Sequence, residues 1–578
     1  MPNTARPQIF PKTKESEEKI MLEKLKKGIV AAVAIATAAT VGSFGLASTA
    51  NALDKNATGN ITISNLAEDG ETVDVTAKAY KIIDVNYDYA ADQPESPEFT
   101  WNSAIAAWVK ANYPEYIGNG NIVTDKYEGL PSIEGKTTSG IENNVTTGDI
   151  AKFFDKLGSS NLLTKVAGSA KNNGNSVTIK GLELGGYYVE VTNNNSSDST
   201  ANGTYVYRAV GANVLPQYVD KQWVVADANI VAKRSKPSMD KSINEQRKSD
   251  NINTGLDKRD EGSDTAAIGE AVNFDLRTDI PAYPSNAIDK KYWISDAMDK
   301  GLTFNDDITV YGVKSTGAET KLTEGNAYTK TLNTKDMDGN SVTFLLNFDY
   351  EKIRSYAKIH VKYTATVNEN AVVGEPIYNH AKLQYSNNPY RGGGHRTEKD
   401  ETKVYVFGIK VNKVAADTQK ALPGAEFKLE RKNVNEAFLF VKLSDGVYRK
   451  ATTDEIKAGK ADGTLKVDNN GKLTVYGLKG ADDAGNPLTY LLTETKAPAG
   501  YNKLSEPVEV VLKPIKDEKK DYTGAVDGSA EVGYTSKTVE NKIGKLPKTG
   551  GIGTIVFSVL GALMIAGGVM LLASRKKA

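Results

Sequence analysis

The 578-residue chain contains no cysteine. Disulfides, zinc–thiolate centres, iron–sulfur clusters and thiol catalysis are therefore excluded. Histidine is nearly as scarce, with only His360, His380 and His395, so no metal centre is expected. His395 closes Arg391-Gly392-Gly393-Gly394-His395, which reads as a flexible loop. No Ser/His/Asp arrangement, metal motif or phosphate-cradling glycine loop stands out, so no enzyme that turns over and no cofactor is expected. Neither sign of charge is in excess, with 72 Lys+Arg against 72 Asp+Glu. A basic stripe that would attract nucleic acid is missing as well.

Long apolar runs are absent from the interior and confined to the two ends. At the front, Lys24, Lys26 and Lys27 precede an apolar stretch from Gly28 to about Ala47, and Ala50-Asn51-Ala52 offers an A-x-A cleavage site. That charged, apolar and small-residue order is a secretory signal peptide, which predicts export. Met21 competes with Met1 as the true start, because residues before it lack the pattern. At the back, Leu546-Pro547-Lys548-Thr549-Gly550 is followed by an apolar run from Ile552 to Ala573 and then Arg575-Lys576-Lys577. About 20 apolar residues match the hydrocarbon thickness of a bilayer, and terminal Lys/Arg are expected on the cytoplasmic side. Losing both ends removes ten basic and four acidic residues. The remaining chain, 53–549, carries 62 basic and 68 acidic residues, a net charge of −6.

Between the ends, short alternating apolar runs separated by Gly/Asn/Asp turns predict tandem β-sandwiches. Examples are Asn60–Ser64, Ser176–Ile179 and Lys472–Tyr476. Asp468-Asn469-Asn470-Gly471 reads as a hairpin turn rather than a calcium loop, whose ligand spacing is incomplete. Helical segments, Ser103–Asn112 and Thr147–Leu157, are expected only in the first module. The fold class is thus mainly β, with tandem Ig-like sandwiches flanked by a signal peptide and a C-terminal transmembrane segment.

Polar residues occupy strand positions that should be apolar. Side chains alternate along a strand, so Lys413 shares a face with Ile409 and Val411, Glu494 with Tyr490 and Leu492, and Asn541 with Val539 and Ile543. Burial lowers a lysine's pKa and raises a carboxyl's. A neutral amine beside an Asn carboxamide and a protonated acid can form a Lys–Asn amide with loss of ammonia. Fixed geometry supplies much of the rate. Parity alone leaves a second arrangement open, in which Lys413 reaches out to water and pairs with Glu494 at the surface. The middle of the chain repeats the pattern. Lys241 lies between Met239 and Ile243, Asn379 shares a face with Ile377, Ala381 and Leu383, and Asp296 sits with Ile294 and Met298. Asp279 is the rival acid; a regular strand would turn it away from Phe274 and Leu276, unless Pro281 breaks that register. The first module offers no comparable trio, so no bond is expected there.

Several motifs carry a family resemblance. Leu546–Gly550 with its apolar and basic tail resembles the sorting signal of Gram-positive surface proteins, where a sortase cleaves after Thr and passes the acyl group to an amine. Tyr490-x-Leu492-x-Glu494-x-x-Ala497-Pro498-x-Gly500-Tyr501 is similar to the E-box of Cna B-type domains of Gram-positive pilins. Lys413, Gly424-Ala425-Glu426-Phe427 and Asn541 fit the same layout. Lys236-Pro237-x-x-Asp240-Lys241, Ser295-Asp296 through Phe304, and Asn379 through Pro389 resemble the middle domain of backbone pilins.

The resemblance implies two bonds, Lys413–Asn541 catalysed by Glu494 and Lys241–Asn379 catalysed by Asp296. It implies an acceptor lysine in a V-Y-P-K-like motif, matched here by Val231-Ala232-Lys233, which departs at the Tyr and Pro positions; Lys236 or Lys221 could substitute. The expected organisation is a leader (1–52), an N-terminal pilin domain (53–220), a linker with the pilin-like motif (221–236), a middle domain (237–405), a Cna B-type domain (406–545) and the sorting signal (546–578). The implied function is a structural backbone subunit of a covalent pilus on a Gram-positive cell wall. Its implied partners are a sortase, other copies of itself, minor pilins, peptidoglycan and host surface ligands, with no nucleic acid. The competing expectation is a wall-anchored monomeric adhesin or minor pilin that binds host matrix or glycans.

Overall fold

The computed structural model describes residues 52–130, 147–194, 205–219, 222–243, 262–284, 287–389, 394–434, 438–544 and 557–567. The expected leader through Asn51, Lys221 and the whole Leu546–Gly550 motif lie outside these residues. So does most of the apolar tail, of which 557–567 is described as an exposed helix. Among the described residues no helix is long and apolar enough to cross a membrane.

The first module pairs two sheets. One runs in the order Gln93–Trp101, Val75–Asp88, Gly185–Asn193, Val210–Val219, Gln222–Ala226; the other is Ala228–Val231, Gly59–Ser64, Ser176–Leu182. Ile61, Ile63, Ala77, Tyr187 and Val189 form the core between them. The larger sheet buries its other face too. Trp101, Ile105, Val109, Phe153, Phe154 and Tyr188 pack there beneath helices Ser103–Asn112 and Thr147–Gly158. Alternation explains how neighbours Tyr187 and Tyr188 enter different cores. Residues 222–235, expected as a linker, are strands of this module: Gln222–Ala226 pairs with Val210–Val219, Ala228–Val231 with Gly59–Ser64, and Lys233–Ser235 with Val206–Arg208.

The middle module is a sandwich around Phe274, Leu276, Ile294, Phe344, Val361 and Leu383. One sheet orders Met239–Ile243, Ala271–Asp279, Lys358–Val367, Thr309–Val313, Glu319–Lys321; the facing sheet orders Ser263–Thr265, His395–Tyr405, Ile377–Ser386, Tyr292–Met298, Ser341–Phe348, Tyr328–Lys335. His395, expected in a flexible loop, opens its strand and holds Asp338 Oδ1 through Nε2 at 2.7 Å.

Strand His395–Tyr405 passes almost directly into Phe407–Ala415, an inner strand of the third module. That module stacks Phe440–Ser444, Val447–Lys450, Lys472–Leu478, Phe407–Ala415, Tyr534–Asn541 on Leu465–Lys466, Glu426–Arg431, Leu488–Lys496, Val508–Leu512. The turn at Asp468–Gly471 is closed by Asp468 Oδ1, which accepts from the Asn470 and Lys472 amides. It is not a hairpin, because Leu465–Lys466 pairs in one sheet and Lys472–Leu478 in the other. The turn therefore carries the chain between layers.

The middle and third modules touch through backbone. Gly374 and Gly524 both have positive φ, and a Cβ on Gly524 would overlap the Gly374 carbonyl. Thr265 exchanges hydrogen bonds with Ala481 (3.0 and 3.2 Å), and Ser263 Oγ donates to Asp521 at 3.0 Å.

Candidate functional site: two buried lysine–asparagine–acid sets

In the third module Lys413, Glu494 and Asn541 are 0%, 1% and 0% exposed, which leaves no room for the surface pairing. Lys413 and Asn541 come from adjacent parallel strands, with Lys413 opposite Val539 and Ala415 opposite Asn541. Glu494 reaches them from the facing sheet. The Lys413 ammonium donates to Asn541 Oδ1 and to the Val539 carbonyl, the latter at 3.2 Å, and lies 3.7 Å from Glu494 Oε1. Asn541 Nδ2 donates to both Glu494 oxygens at 3.0 and 2.9 Å and to the Asn502 carbonyl at 2.9 Å. The nitrogen that would leave as ammonia thus faces the group able to protonate it. Burial pulls the Lys413 pKa below the lysine range, against the opposing pull of Glu494.

The segment resembling the E-box builds the floor of this site. Gly500, at φ +86°, forms a turn in which the Tyr501 amide donates to the Pro498 carbonyl at 3.1 Å. The turn brings Asn502 beside Lys542, and the Asn502 amide donates to the Lys542 carbonyl at 3.0 Å. The Asn502 carbonyl is thereby aimed at Asn541, and the Leu504 amide at Glu494 Oε2 (2.8 Å).

The middle set is arranged differently. Lys241 belongs to one sheet, while Asp296 and Asn379 belong to the other, on adjacent strands where Asn379 opposes Met298 and Asp296 opposes Ala381. They are 4%, 1% and 0% exposed. Lys241 Nζ lies 2.5 Å from Asp296 Oδ2 and 5.2 Å from the centre of the Phe274 ring. Burial dominates both titrations: it lowers the lysine's pKa and raises the acid's, against their mutual attraction. Both shifts favour a neutral amine beside a neutral acid. Asp279 is elsewhere; its carboxylate accepts from Ser238 Oγ and Lys358 Nζ, each at 2.6 Å, at the half-exposed end of its strand.

Sequence reading missed Tyr363. Its buried hydroxyl accepts from Lys241 Nζ (2.7 Å) and Asn379 Nδ2 (3.2 Å) and donates to Asp296 Oδ2 (2.6 Å). The sequence signal was a phenol in the inward stripe Ile359, Val361, Tyr363, Ala365, which reads as core. The first module buries no lysine among its described residues.

Lys233 sits half-buried at the start of the short strand Lys233–Ser235, with Lys233 opposite Arg208. Burial lowers its pKa. Lys236 differs: burial works against its charge, but hydrogen bonds to Glu71 (2.6 Å) and Glu68 (3.1 Å) outweigh that and raise its pKa.

Three family models match the chain. Residues 268–389 match the Gram-positive pilin backbone subunit 2, Cna-B-like domain, residues 407–525 a prealbumin-like fold domain, and residues 538–578 the LPXTG cell wall anchor motif. A trypsin-resistant surface T6 protein of Streptococcus pyogenes serotype M6 is 28% identical over 396 residues, covering 60% of this chain and 70% of the relative. A fimbrial subunit type 1 of Actinomyces viscosus is 26% identical over 364 residues, 57% and 65% of the two chains. Among solved structures, the T6 backbone pilin of serotype M6 S. pyogenes superposes with a TM-score of 0.48 at 19% identity, covering 86% of this chain and all of that one. The full-length major pilin SpaD from Corynebacterium diphtheriae gives 0.44 at 16%, covering 85% and 99%.

Tandem β-domains ahead of a wall-anchor motif define a cell-wall-anchored extracellular protein. Within that class the chain resembles the backbone pilins of Gram-positive bacteria, through its matched domain and its relatives. It is a structural subunit of a surface pilus, and its anchor implies a sortase and peptidoglycan as partners.

Proposed function

We propose that a sortase joins Thr549 of one subunit to Lys233 of the next, and that each subunit is stabilised by Lys413–Asn541 and Lys241–Asn379 amide bonds. Two complete Lys–Asn–acid sets buried in the cores of separate modules carry this reading. In the third module, Glu494 takes a proton from Lys413, the freed amine attacks Asn541 Cγ, and Nδ2 leaves as ammonia. In the middle module Asp296 acts on Lys241 and Asn379. Each acid acts once, on its own chain.

Lys233 is favoured as the acceptor over Lys236 for a chemical reason. An amine must shed its proton to attack an acyl-enzyme; burial helps Lys233 do so, whereas Glu68 and Glu71 hold Lys236 charged. Lys233→Arg should abolish the high-mass ladder on a denaturing gel, and Lys236→Arg should leave it intact. A ladder that survives Lys233→Arg and disappears with Lys236→Arg would move the joint. A wild-type chain that makes no ladder would favour a monomeric adhesin or minor pilin. Contacts with minor pilins and with host matrix or glycans also belong to this proposal.

A further inference from the structure

The two sets differ in how the acid reaches the amide. In the third module Glu494 touches the leaving nitrogen directly, accepting from Asn541 Nδ2 at 3.0 and 2.9 Å. In the middle module Asp296 has no hydrogen bond with Asn379. The Tyr363 hydroxyl stands between them, 2.6 Å from Asp296 Oδ2 and 3.2 Å from Asn379 Nδ2. Two buried oxygens, Asp296 Oδ1 and Asn379 Oδ1, have no partner among the described residues. The acid and the amide are thus brought together without being joined, and one phenol contacts the nucleophile, the acid and the leaving group.

We propose that Tyr363 is a catalytic residue of the middle-module bond, carrying a proton from Asp296 to the departing nitrogen of Asn379. This rests on the Lys241–Asn379 reading above. The step balances as follows. Lys241 Nζ, starting as an ammonium, gives one proton to Asp296 Oδ2, 2.5 Å away. The freed amine attacks Asn379 Cγ; the C–N bond forms and the carbonyl π pair moves to Oδ1. Asp296 then passes its proton to Tyr363 Oη as Tyr363 gives its own to Nδ2. The pair on Oδ1 re-forms the carbonyl, the Cγ–Nδ2 bond breaks and ammonia leaves. A second lysine proton, acidified by the new bond, returns to Asp296. Of the three ammonium protons, one stays in the new amide, one leaves in ammonia and one rests on Asp296. Tyr363 ends as it began.

The ring is positioned for this by packing that does not need the hydroxyl. It stacks on Phe274 with centroids 5.4 Å apart and meets Phe344 edge-on at 5.0 Å. Tyr363→Phe therefore keeps the packing and removes only the relay. The test uses the full chain made in a strain lacking sortase, so that it stays monomeric. Intact mass is followed through a pulse of labelled synthesis and a chase, and peptide mapping assigns each cross-link.

Wild type should lose two ammonias. Tyr363→Phe should lose the third-module ammonia on schedule and the middle-module one about 100-fold more slowly, the lower end of what a positioned proton donor contributes. Phe274→Leu, which loosens the same stack but keeps the hydroxyl, should retain the bond. Middle-module maturation of Tyr363→Phe at the wild-type rate would overturn the relay alone. So would an equal delay in Phe274→Leu, because packing would then be the cause. A wild-type chain without the middle bond would remove the underlying reading instead.

Discussion

Replacing Glu494 with Gln should leave the third module folded but open. Gln keeps the size of the side chain and one acceptor for Asn541 Nδ2, yet it cannot take the lysine proton. Lys413 and Asn541 are 128 positions apart, so their bond closes most of the module into one loop. In the chain-entropy treatment of cross-links, a loop of that length restricts the unfolded state by about 5 kcal/mol. A module of this size shifts by roughly 3–5 °C per kcal/mol, so its unfolding temperature should fall by about 15–25 °C. Burying an unreacted lysine adds to the loss. Intact mass should rise by one ammonia, and the variant should migrate more slowly on a denaturing gel because its unfolded chain is no longer looped. Scanning calorimetry should show the third-module transition moving while the middle one stays. An unchanged mass in Glu494→Gln would refute the role of the acid. A mass gain with no thermal shift would refute the stabilisation estimate.

Other outcomes follow from the same geometry. Asp296→Asn should retain one ammonia in the middle module, and combined with Glu494→Gln it should retain two, since the sites lie in separate cores. With Lys241 left unreacted, that variant should also gain stability as pH rises from 7 towards the ordinary lysine value of 10.5. The sign follows because the folded pKa is depressed, so the unfolded chain binds more protons in that window. Bonded wild type should lack this slope in a pH series of melting curves. Gly524→Ala should loosen the contact between the middle and third modules by more than about 1 kcal/mol, because φ is +77° and the added Cβ overlaps Gly374. Hydrogen exchange at residues 371–375 would report it.

Much of the fold was legible because strands advertise themselves by alternation. The same two-residue period placed Lys413, Glu494 and Asn541 on core faces, and the structure buries all three. Asp279 and Asp296 were separable by parity for the same reason. Tyr363 was not, because an aromatic in an inward stripe is normally packing, and only the facing sheet gives its hydroxyl a task. The connector was misjudged because strands there are three to five residues long, too short for a period to show. The expected hairpin at Asp468 failed for a tertiary reason: turn chemistry specifies a reversal, not which sheet receives the next strand.

The position of Lys233 also has a mechanical consequence. In a fibre joined from Lys233 to Thr549, a pull enters each subunit at the last strand of its first module, Lys233–Ser235, which pairs with Val206–Arg208. With both proposed bonds in place, force runs along 233–241, crosses to 379, follows the chain through 413, crosses to 541 and leaves at 549. Strands His395–Tyr405 and Phe407–Ala415, nearly continuous in the structure, lie on that line. Residues 53–232 hang beside it. A module that meets the stretch only through its last short strand, Lys233–Ser235, needs no covalent clamp across its body, and the first module, whose described residues bury no lysine, is free to diversify in shape away from that strand without weakening the filament.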